Sequence, residues 1–409
     1  MLRSQNLFKS VFIISIETSL SSNCMLEFKR LNLFFLILFL MTIRNIMAQN
    51  SFEWSVIKQL PTLNEKQFGM GGALSGIHEN TLLIIGGSNF AGVMPWKGGK
   101  KRFLNDIYVL RRTKKDTFEW FEKTFTLPFN IAYAATISTP NGIYCIGGEN
   151  ENGIRKEVFL IKWDTHKQDI SIENLPSLPE EISNASAVEY DNFLYVLGGE
   201  NAEKTSNKAY RLNVKSNPNS WEVLPNLPTP LSHSISFAGQ NALYLIGGRA
   251  KVPSDVSQLS HYTYKFDIKQ DKWLKMADIS IEDVPINALS AGCGVMLTKN
   301  KFLLIGGDRG NIFSKIEAFN LKITQATSEE EKSQLQAEKE SILENHQGFS
   351  KDLLVYHTRN NTWKKIGEVP MLVPVTTSSL RWGKDIVIPS GEIKPGIRTV
   401  DIILGKSVK

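Results

Sequence analysis

The segment PSGEIKPGIRT, residues 389–399, brings one carboxylate and two cations together as Glu392, Lys394 and Arg398. Two glycines and a proline stand beside these charges and predict a sharp turn with a defined backbone. Carboxylates can transfer protons, and guanidinium groups can hold anions. The turn is therefore a candidate site, and the rest of the chain must supply the elements that position it.

A repeated apolar segment that ends in Gly-Gly organises the chain. It occurs five times, as LLIIGG (82–87), IYCIGG (143–148), LYVLGG (194–199), LYLIGG (243–248) and FLLIGG (302–307), with the second glycines 61, 51, 49 and 59 residues apart. Each copy is followed by a polar loop, an apolar strand, and a strand with Trp or an equivalent residue before a Pro-rich turn. The pattern resembles the kelch repeat, in which four short strands form a unit that is stable only between its neighbours.

Two fragments complete a sixth unit. DIVIPSGE (385–392) has Ser-Gly in place of Gly-Gly, and SFEWSVIKQLP (51–61) is a Trp strand without a preceding glycine pair. Together they supply three strands from the C-terminus and the outer strand from the N-terminus. The sequence therefore predicts an all-β, six-bladed kelch-type β-propeller whose N-terminal strand closes the last blade, which also covers two open sheet edges.

One face of such a propeller collects the loops after Gly-Gly and the loops after the Pro-rich turns; we call this face the mouth. The first set of mouth candidates is Asn89, Glu149, Glu200, Arg249, Asp308, Arg309 and Glu392, and the second is Asn130, Tyr133, Asn184, Ser232, His233 and Asn287. Two loops after Gly-Gly are long: residues 90–103, with four cations, and about 310–350, a helical insertion in blade 5. Long loops are functional lids or surface decorations, and both alternatives stay open here.

The N-terminal segment has the pattern of a signal peptide. Lys29 and Arg30 precede an apolar run over residues 33–41, and cleavage is expected after Ala48. Residues 1–24 are interpreted as an over-extended start, and the apolar run is short for a membrane anchor. We expect export, with the periplasm as the compartment, and a single propeller over residues 49–409.

Charge and cysteine content exclude several classes of protein. The net charge of +6 falls to +3 beyond residue 48, where 42 basic and 39 acidic residues remain, which argues against a nucleic-acid partner. Cys24 lies in the leader, and Cys145 and Cys293 lie in apolar strands, where we expect small buried side chains. No disulfide framework, metal-ligand spacing or nucleotide motif is present, so no cofactor is expected.

Several segments together resemble one family. GEIKPGIRT (391–399), the GGSNFAGVMPWKGGKK loop, and the helical insertion after Gly-Gly in an exported six-bladed kelch chain are similar to the bacterial sialic acid mutarotases, or N-acetylneuraminate epimerases. The resemblance covers residues 51 to about 404. In that family the motif falls in an internal blade, whereas here it lies in the last one, so the chain resembles a cyclically permuted branch. A closed ring tolerates permutation because every contact between blades survives.

The resemblance implies an isomerase that interconverts the α and β anomers of N-acetylneuraminate, a small acidic sugar, by acid/base ring opening and closing without a cofactor. It implies that Glu392 transfers protons and that Arg398 holds the sugar carboxylate, with Lys394 as a weaker companion. A mutual ion pair that only pins the turn is the alternative for Glu392 and Arg398.

Further candidates are weighed against structural roles. Glu149 and Glu200, each in a GGEN sequence, are either a second acid/base group or turn residues. The remaining substrate-binding candidates are Arg249 and Arg309 on blades 4 and 5, Asn89, and Trp96, which together with Phe90 could stack on the sugar or anchor its loop. His233 is interpreted as a structural residue.

Three other functions compete with this one. Sialidases carry S-x-D-x-G-x-T-W boxes, which the sequence lacks, and their chemistry needs a nucleophile with paired carboxylates. A copper oxidase needs His and Tyr ligands, but the six histidines are scattered. A binding module for a glycan or a protein could use the same mouth, since fold alone does not decide function. The sequence does not predict an oligomeric state.

Overall fold

Six antiparallel sheets surround one axis in the computed structural model, which describes residues 52–62, 66–215 and 220–408. Five of them have four strands, and the sheet of blade 1 has a fifth, Phe125–Thr126, which pairs with Asp106–Lys114. From inner to outer strand, the first three blades are Leu74–His78, Thr81–Ile85, Asp106–Lys114 and Thr117–Trp120; Ala135–Thr139, Gly142–Ile146, Val158–Asp164 and Asp169–Leu175; and Ser186–Tyr190, Phe193–Leu197, Ala209–Asn213 and Glu222–Leu224. The last three are Ile235–Gly239, Ala242–Ile246, Thr263–Asp267 and Lys272–Lys275; Cys293–Thr298, Lys301–Ile305, Asp352–His357 and Thr362–Glu368; and Leu380–Trp382, Asp385–Lys394, Ile397–Ser407 and Phe52–Gln59. The six-bladed propeller predicted from the sequence is confirmed.

The ring closes as predicted, with the first described strand as the outer strand of blade 6. Phe52–Gln59 runs antiparallel to Ile397–Ser407, pairing Phe52 with Ser407 and Gln59 with Asp401. At the junction with blade 1, the Arg112 guanidinium donates to the carboxylate of Asp385 over 2.6 Å. The leader prediction concerns residues outside the described ranges and stays a prediction.

The Gly-Gly pairs are required because both residues adopt positive φ in every copy. A Cβ atom on Gly198 would lie 2.1 Å from the carbonyl oxygen of Leu231, in the loop that leads into the next blade. That same carbonyl accepts a hydrogen bond from the Gly199 amide at 2.8 Å. Only glycine combines this backbone conformation with so close an approach.

Blade 6 reaches the same conformation with Ser390, at φ 52°, followed by Gly391. The buried Ser390 hydroxyl accepts a hydrogen bond from the Met70 amide at 2.9 Å and donates to the Thr399 carbonyl at 2.6 Å. The serine therefore joins the last blade to the chain segment that leads into the first.

Ser390→Ala should lower the free energy of unfolding by about 1–3 kcal/mol, because it leaves the buried Met70 amide without an acceptor. Urea denaturation followed by tryptophan fluorescence would measure the loss. Thr377→Ala is a control that removes a half-buried hydroxyl bonded only to the Pro389 carbonyl, and it should cost less. Equal midpoints for wild type and Ser390→Ala would show that the hydroxyl contributes no net stability.

Tryptophans join neighbouring blades, as the sequence predicts. In four blades the indole N–H of the outer strand donates to a backbone carbonyl of the preceding blade or of the turn that follows it: Trp120 to Gln59, Trp221 to Pro176, Trp273 to Pro225 and Trp363 to Ala277, over 2.8–3.3 Å. Each indole packs its ring between sheets and satisfies its one donor.

A closed ring of six backbone hydrogen bonds surrounds the axis where the chain enters each inner strand. Its members are Gly72, Tyr133, Asn184, His233, Ala291 and Thr376, all with φ between 50° and 64°. Each amide donates to the carbonyl of the ring residue one blade away, over 2.7–3.1 Å. The backbone alone builds this ring, so its side chains are free to serve the mouth.

The insertion in blade 5 contains two helices, α1 (Asn311–Gln325) and α2 (Glu329–Glu344). The Ser328 side chain caps α2 by accepting from the Glu331 amide, and three glutamates in the first turn favour the positive end of the helix dipole. The helical insertion predicted over about 310–350 is therefore present and consists of these two helices. None of the helices in the described ranges is long and apolar enough to cross a membrane.

Both cysteines of the described ranges are buried and unpaired. Burial raises the pKa of the Cys293 thiol to about 12. They are small core residues, as expected.

Candidate functional site

The loops predicted to converge do meet at the mouth. In every blade, the residue directly after the glycine pair forms a backbone bridge with the residue directly before a member of the axial ring. In blade 6, Ser390-Gly391 takes the place of the glycine pair. These bridges are Gly71 with Ser88, Ala132 with Glu149, Ser183 with Glu200, Ser232 with Arg249, Ser290 with Asp308, and Val375 with Glu392. Glu149, Glu200 and Glu392 therefore occupy equivalent positions in blades 2, 3 and 6.

A cavity of about 250 Å³ opens at the mouth beneath the helical insertion; we call it the mouth cavity. Its polar lining comes from the sector of blades 4 to 6 and includes His233, Arg249, Asp308, His346 and Glu392, while Ile312, Phe313, Ile316, Leu343 and Phe349 line it with apolar surface. The insertion is thus part of the site rather than a distant decoration.

A second cavity, of about 220 Å³, extends along the axis past the ring. Serine, threonine and alanine dominate its lining, which contains no Asp, Glu, Lys or Arg. Of these two cavities, only the mouth cavity is lined by charged groups. A further cavity, of about 360 Å³, lies along the turn of blade 6 and is lined by Arg398, Lys66 and Asp401.

Glu392 and Arg398 face each other across the hairpin of blade 6, where they are paired in register. The Arg398 Nη2 atom lies 3.3 Å from the Glu392 Oε2 atom, and the Gly396 amide donates to Glu392 Oε1 at 2.8 Å. The ion pair that could pin the turn is present.

Arg398 nevertheless keeps unused donors. Its side chain is only 4% exposed, and its Nε and Nη1 atoms are buried with no hydrogen-bond partner in the described chain. The guanidinium carbon lies 4.7 Å from the centre of the Phe90 ring, and a Cβ on Gly71 would come within 2.9 Å of Nε. The hydroxyl of Thr376, which lines the mouth cavity, is also buried without a partner. Buried donors without acceptors are costly, which is typical of a site that a ligand completes.

The long loop of residues 90–103 packs on this turn. Pro95 and Trp96 lie against Gly396, and the Lys97 Nζ atom lies 2.6 Å from Glu344 at the end of α2. Trp96 therefore anchors the loop against the turn. The Lys394 side chain forms no hydrogen bond or ion pair with other described residues, and its backbone pairs with Ile397 in the hairpin.

The other two glutamates are already engaged and do not line the mouth cavity. Glu149 forms an ion pair with Lys101 at 2.9 Å. Glu200 accepts from Asn184 Nδ2 at 3.1 Å and from the Ser232 hydroxyl at 3.0 Å, so both of its oxygens have partners.

Arg309 and Asn89 also lie outside the mouth cavity. Arg309 pairs with Asp352, which is also held by Lys365 and Ser350. The Asn89 side chain donates to the Gly69 carbonyl and accepts from the Ala91 amide, each over 3.1 Å, and so shapes its own loop. Of the two arginines predicted on blades 4 and 5, only Arg249 reaches the cavity.

His233 is held in the neutral form. Its Nε2 lies 3.2 Å from Nη2 of Arg249, and its Nδ1 lies 3.1 Å from the Ser232 hydroxyl. Burial, together with the charges of Arg249 and Lys251, keeps the pKa of this imidazole well below its usual value. The structural role expected for His233 agrees with these contacts.

This burial predicts a loss of stability in mild acid. The unfolded chain binds a proton at His233 near pH 6.5 and the folded chain does not, so stability falls as the pH drops below about 6.5, by up to about 1.4 kcal/mol per pH unit. His233→Asn, which places in blade 4 the residue that Asn184 supplies in blade 3, should reduce the slope of unfolding free energy against pH between pH 7 and 5.

His346 and His357 also have lowered pKa values, chiefly through burial, and contribute with the same sign. The readout is therefore the difference between wild type and His233→Asn. Parallel curves for wild type and His233→Asn would contradict the assignment.

His346 is a lining residue that sequence reasoning missed. Its Nδ1 accepts from the Gly348 amide at 3.0 Å, so the neutral ring carries its proton on Nε2, which has no partner among the described residues. It follows α2 directly, outside every repeat, and the only available signal was its place in a long loop at the mouth.

The fold and the site define a kelch-type propeller with an acidic and basic pair at the mouth. A sequence profile described as N-acetylneuraminate epimerase matches residues 41–170 and 175–408, and the chain belongs to this family. An N-acetylneuraminate epimerase of Salmonella typhimurium is 30% identical over 239 residues, covering 56% of this chain and 57% of that protein. Proteins of the same name from Brucella suis and Brucella melitensis are 34% identical over 129 residues, covering 30% of this chain and 32% of each relative. The chain thus spans between a third and three fifths of the relatives it matches.

Proposed function

We propose that this protein is a mutarotase that interconverts the α and β anomers of N-acetylneuraminate in the periplasm. The proposal is carried by Arg398, a buried cation next to the carboxylate of Glu392, whose Nε and Nη1 atoms have no hydrogen-bond partner among the described residues. The anomeric carbon of a sialic acid bears both a carboxylate and the hydroxyl that must lose a proton. Unpaired donors of a cation beside a proton acceptor therefore match the two groups on that one carbon.

The reaction needs two coupled proton transfers. Glu392 takes the proton of the anomeric hydroxyl, the bond between C2 and the ring oxygen breaks, and C2 becomes a ketone while the ring oxygen receives a proton. Rotation about the bond between C2 and C3 presents the other face of the ketone. Reclosure returns both protons, so the reaction consumes no other reactant.

His346 is our candidate for the group that protonates the ring oxygen. It lines the same cavity as Glu392, and its neutral ring presents a free Nε2–H. Burial and the nearby Lys394 charge lower the pKa of His346, against the opposing effect of Asp308. A lowered pKa makes the protonated ring a stronger acid and the neutral ring the resting form.

Proton NMR on the purified protein with freshly released α-N-acetylneuraminate tests this function. At a pH where spontaneous exchange is slow, the protein should speed the appearance of the β-anomer signals in proportion to its concentration. Folded protein that leaves the rate unchanged would reject the reaction.

A binding module is the alternative that the same assay separates. It would show saturable line broadening of the sugar signals with no gain in the exchange rate. The partnerless Nε2 of His346 and the proximity of Glu392 to Arg398 favour turnover over binding alone.

A further inference from the structure

Arg249 lines the mouth cavity together with Glu392, from blade 4 and blade 6 respectively. Its backbone is fixed by reciprocal hydrogen bonds with Ser232, over 2.8 and 2.9 Å. Its guanidinium carbon lies 4.3 Å from the centre of the Phe313 ring on α1, which orients the guanidinium plane.

A directed chain of hydrogen bonds holds the edge of this guanidinium. Arginine can only donate and a carboxylate can only accept, so the order is fixed from Arg249 to His233 Nε2 (3.2 Å), from His233 Nδ1 to the Ser232 hydroxyl (3.1 Å), and from that hydroxyl to Glu200 (3.0 Å). This series of hydrogen bonds uses one N–H group of Arg249. The side chain of Arg249 forms no other hydrogen bond within the described ranges. Its remaining donors are available to a ligand.

The surface beside Arg249 is apolar. Ile312, Phe313 and Ile316 of α1 line the cavity with Leu343 and Phe349. A donor next to an apolar wall suits a group that combines a carbonyl oxygen with a methyl group, because the carbonyl needs a hydrogen bond and the methyl gains from leaving water.

We propose that Arg249 and the apolar face of α1 form the subsite for the N-acyl group of the sugar: Arg249 donates to the acyl carbonyl, and the methyl packs on the α1 wall. This inference rests on the proposed function. C5 lies directly across the six-membered ring from C2. Because Glu392 and Arg249 line the same cavity, a sugar whose C2 hydroxyl meets Glu392 can direct the acyl group on C5 toward Arg249. His233, Ser232 and Glu200 are then positioning residues, which gives Glu200 a role other than proton transfer.

The test compares two substrates, N-acetylneuraminate and the analogue with a hydroxyl at C5 in place of the N-acetyl group. Arg249→Met keeps the length of the side chain and removes its donors, and it should raise KM for N-acetylneuraminate about 10- to 100-fold while changing KM for the hydroxyl analogue less than about threefold. Phe313→Ala should shift the ratio in the same direction. Phe319→Ala, on the same helix but outside the cavity lining, should leave the ratio unchanged.

Equal KM increases for the two sugars with Arg249→Met would overturn the subsite and make Arg249 a carboxylate binder. His233→Asn should raise KM for N-acetylneuraminate without lowering kcat, as expected for a positioning residue.

Saturation-transfer NMR supplies a readout that does not depend on turnover, because the acetyl methyl protons should receive the strongest saturation in wild type and lose it in Phe313→Ala. If wild type speeds neither sugar but saturates the methyl, the proposed reaction fails and the subsite stands. A weak methyl signal in active wild type would instead reject the subsite and leave the reaction standing.

Discussion

Glu392→Gln is expected to reduce kcat for anomer exchange by about 10²- to 10⁴-fold, the range for loss of a positioned proton-transfer group. KM should stay the same or fall, because the glutamine no longer competes with the sugar carboxylate for Arg398, 3.3 Å away. The amide oxygen of glutamine can still accept from Gly396, so the turn is retained. Concentration series by NMR, corrected for the spontaneous rate, would separate the two constants.

The chain contains its own matched control for this variant. Glu149 has the equivalent position in blade 2, but it is paired with Lys101 and lies outside the mouth cavity. Glu149→Gln should therefore change kcat less than about threefold. A normal kcat in Glu392→Gln would mean that the carboxylate serves only to pin the turn.

The propeller was predictable because its constraints are local. A glycine pair with two positive φ angles marks blades 1 to 5, and Ser390-Gly391 keeps the positive φ angles in blade 6. A tryptophan in or next to the outer strand marks every blade except blade 2. The facing of Glu392 and Arg398 was also local, since a short hairpin places them in register.

The features of the site that could not be predicted from the sequence depend on contacts between residues far apart in the chain. The axial ring is built by six residues of different types, so no pattern marks it. Arg249 follows Gly-Gly directly and Arg309 comes one residue later, yet Arg309 is neutralised by Asp352 beyond the insertion, while Arg249 meets neutral His233. The engagement of Glu200 by Ser232 likewise joins two blades. Which side chains pair with each other is decided by tertiary packing, and the periodic pattern of the repeats does not encode it.

Arg398→Met should lower kcat/KM by about 10³-fold or more, mainly through KM. A buried guanidinium with Nε and Nη1 unpaired offers a carboxylate charge-assisted hydrogen bonds worth about 1.5–3 kcal/mol each. Arg398→Lys should recover only part of the loss, because an ammonium group lacks the planar fork. Initial rates over a range of sugar concentrations would give both constants.

The stability of Arg398→Met decides between a clamp and a structural pin. If Arg398 mainly pinned the turn, its removal would cost about 3–5 kcal/mol, as for a broken buried ion pair. If Arg398 instead serves to bind the ligand, its replacement should change the free energy of unfolding little or even raise it, because buried donors without partners disappear. Glu392, whose side chain is 17% exposed, keeps its hydrogen bond from the Gly396 amide. Denaturant unfolding of the sugar-free protein provides the measurement. A large loss of stability with an unchanged KM would assign Arg398 to the fold, whereas intact stability with failed binding assigns it to the substrate.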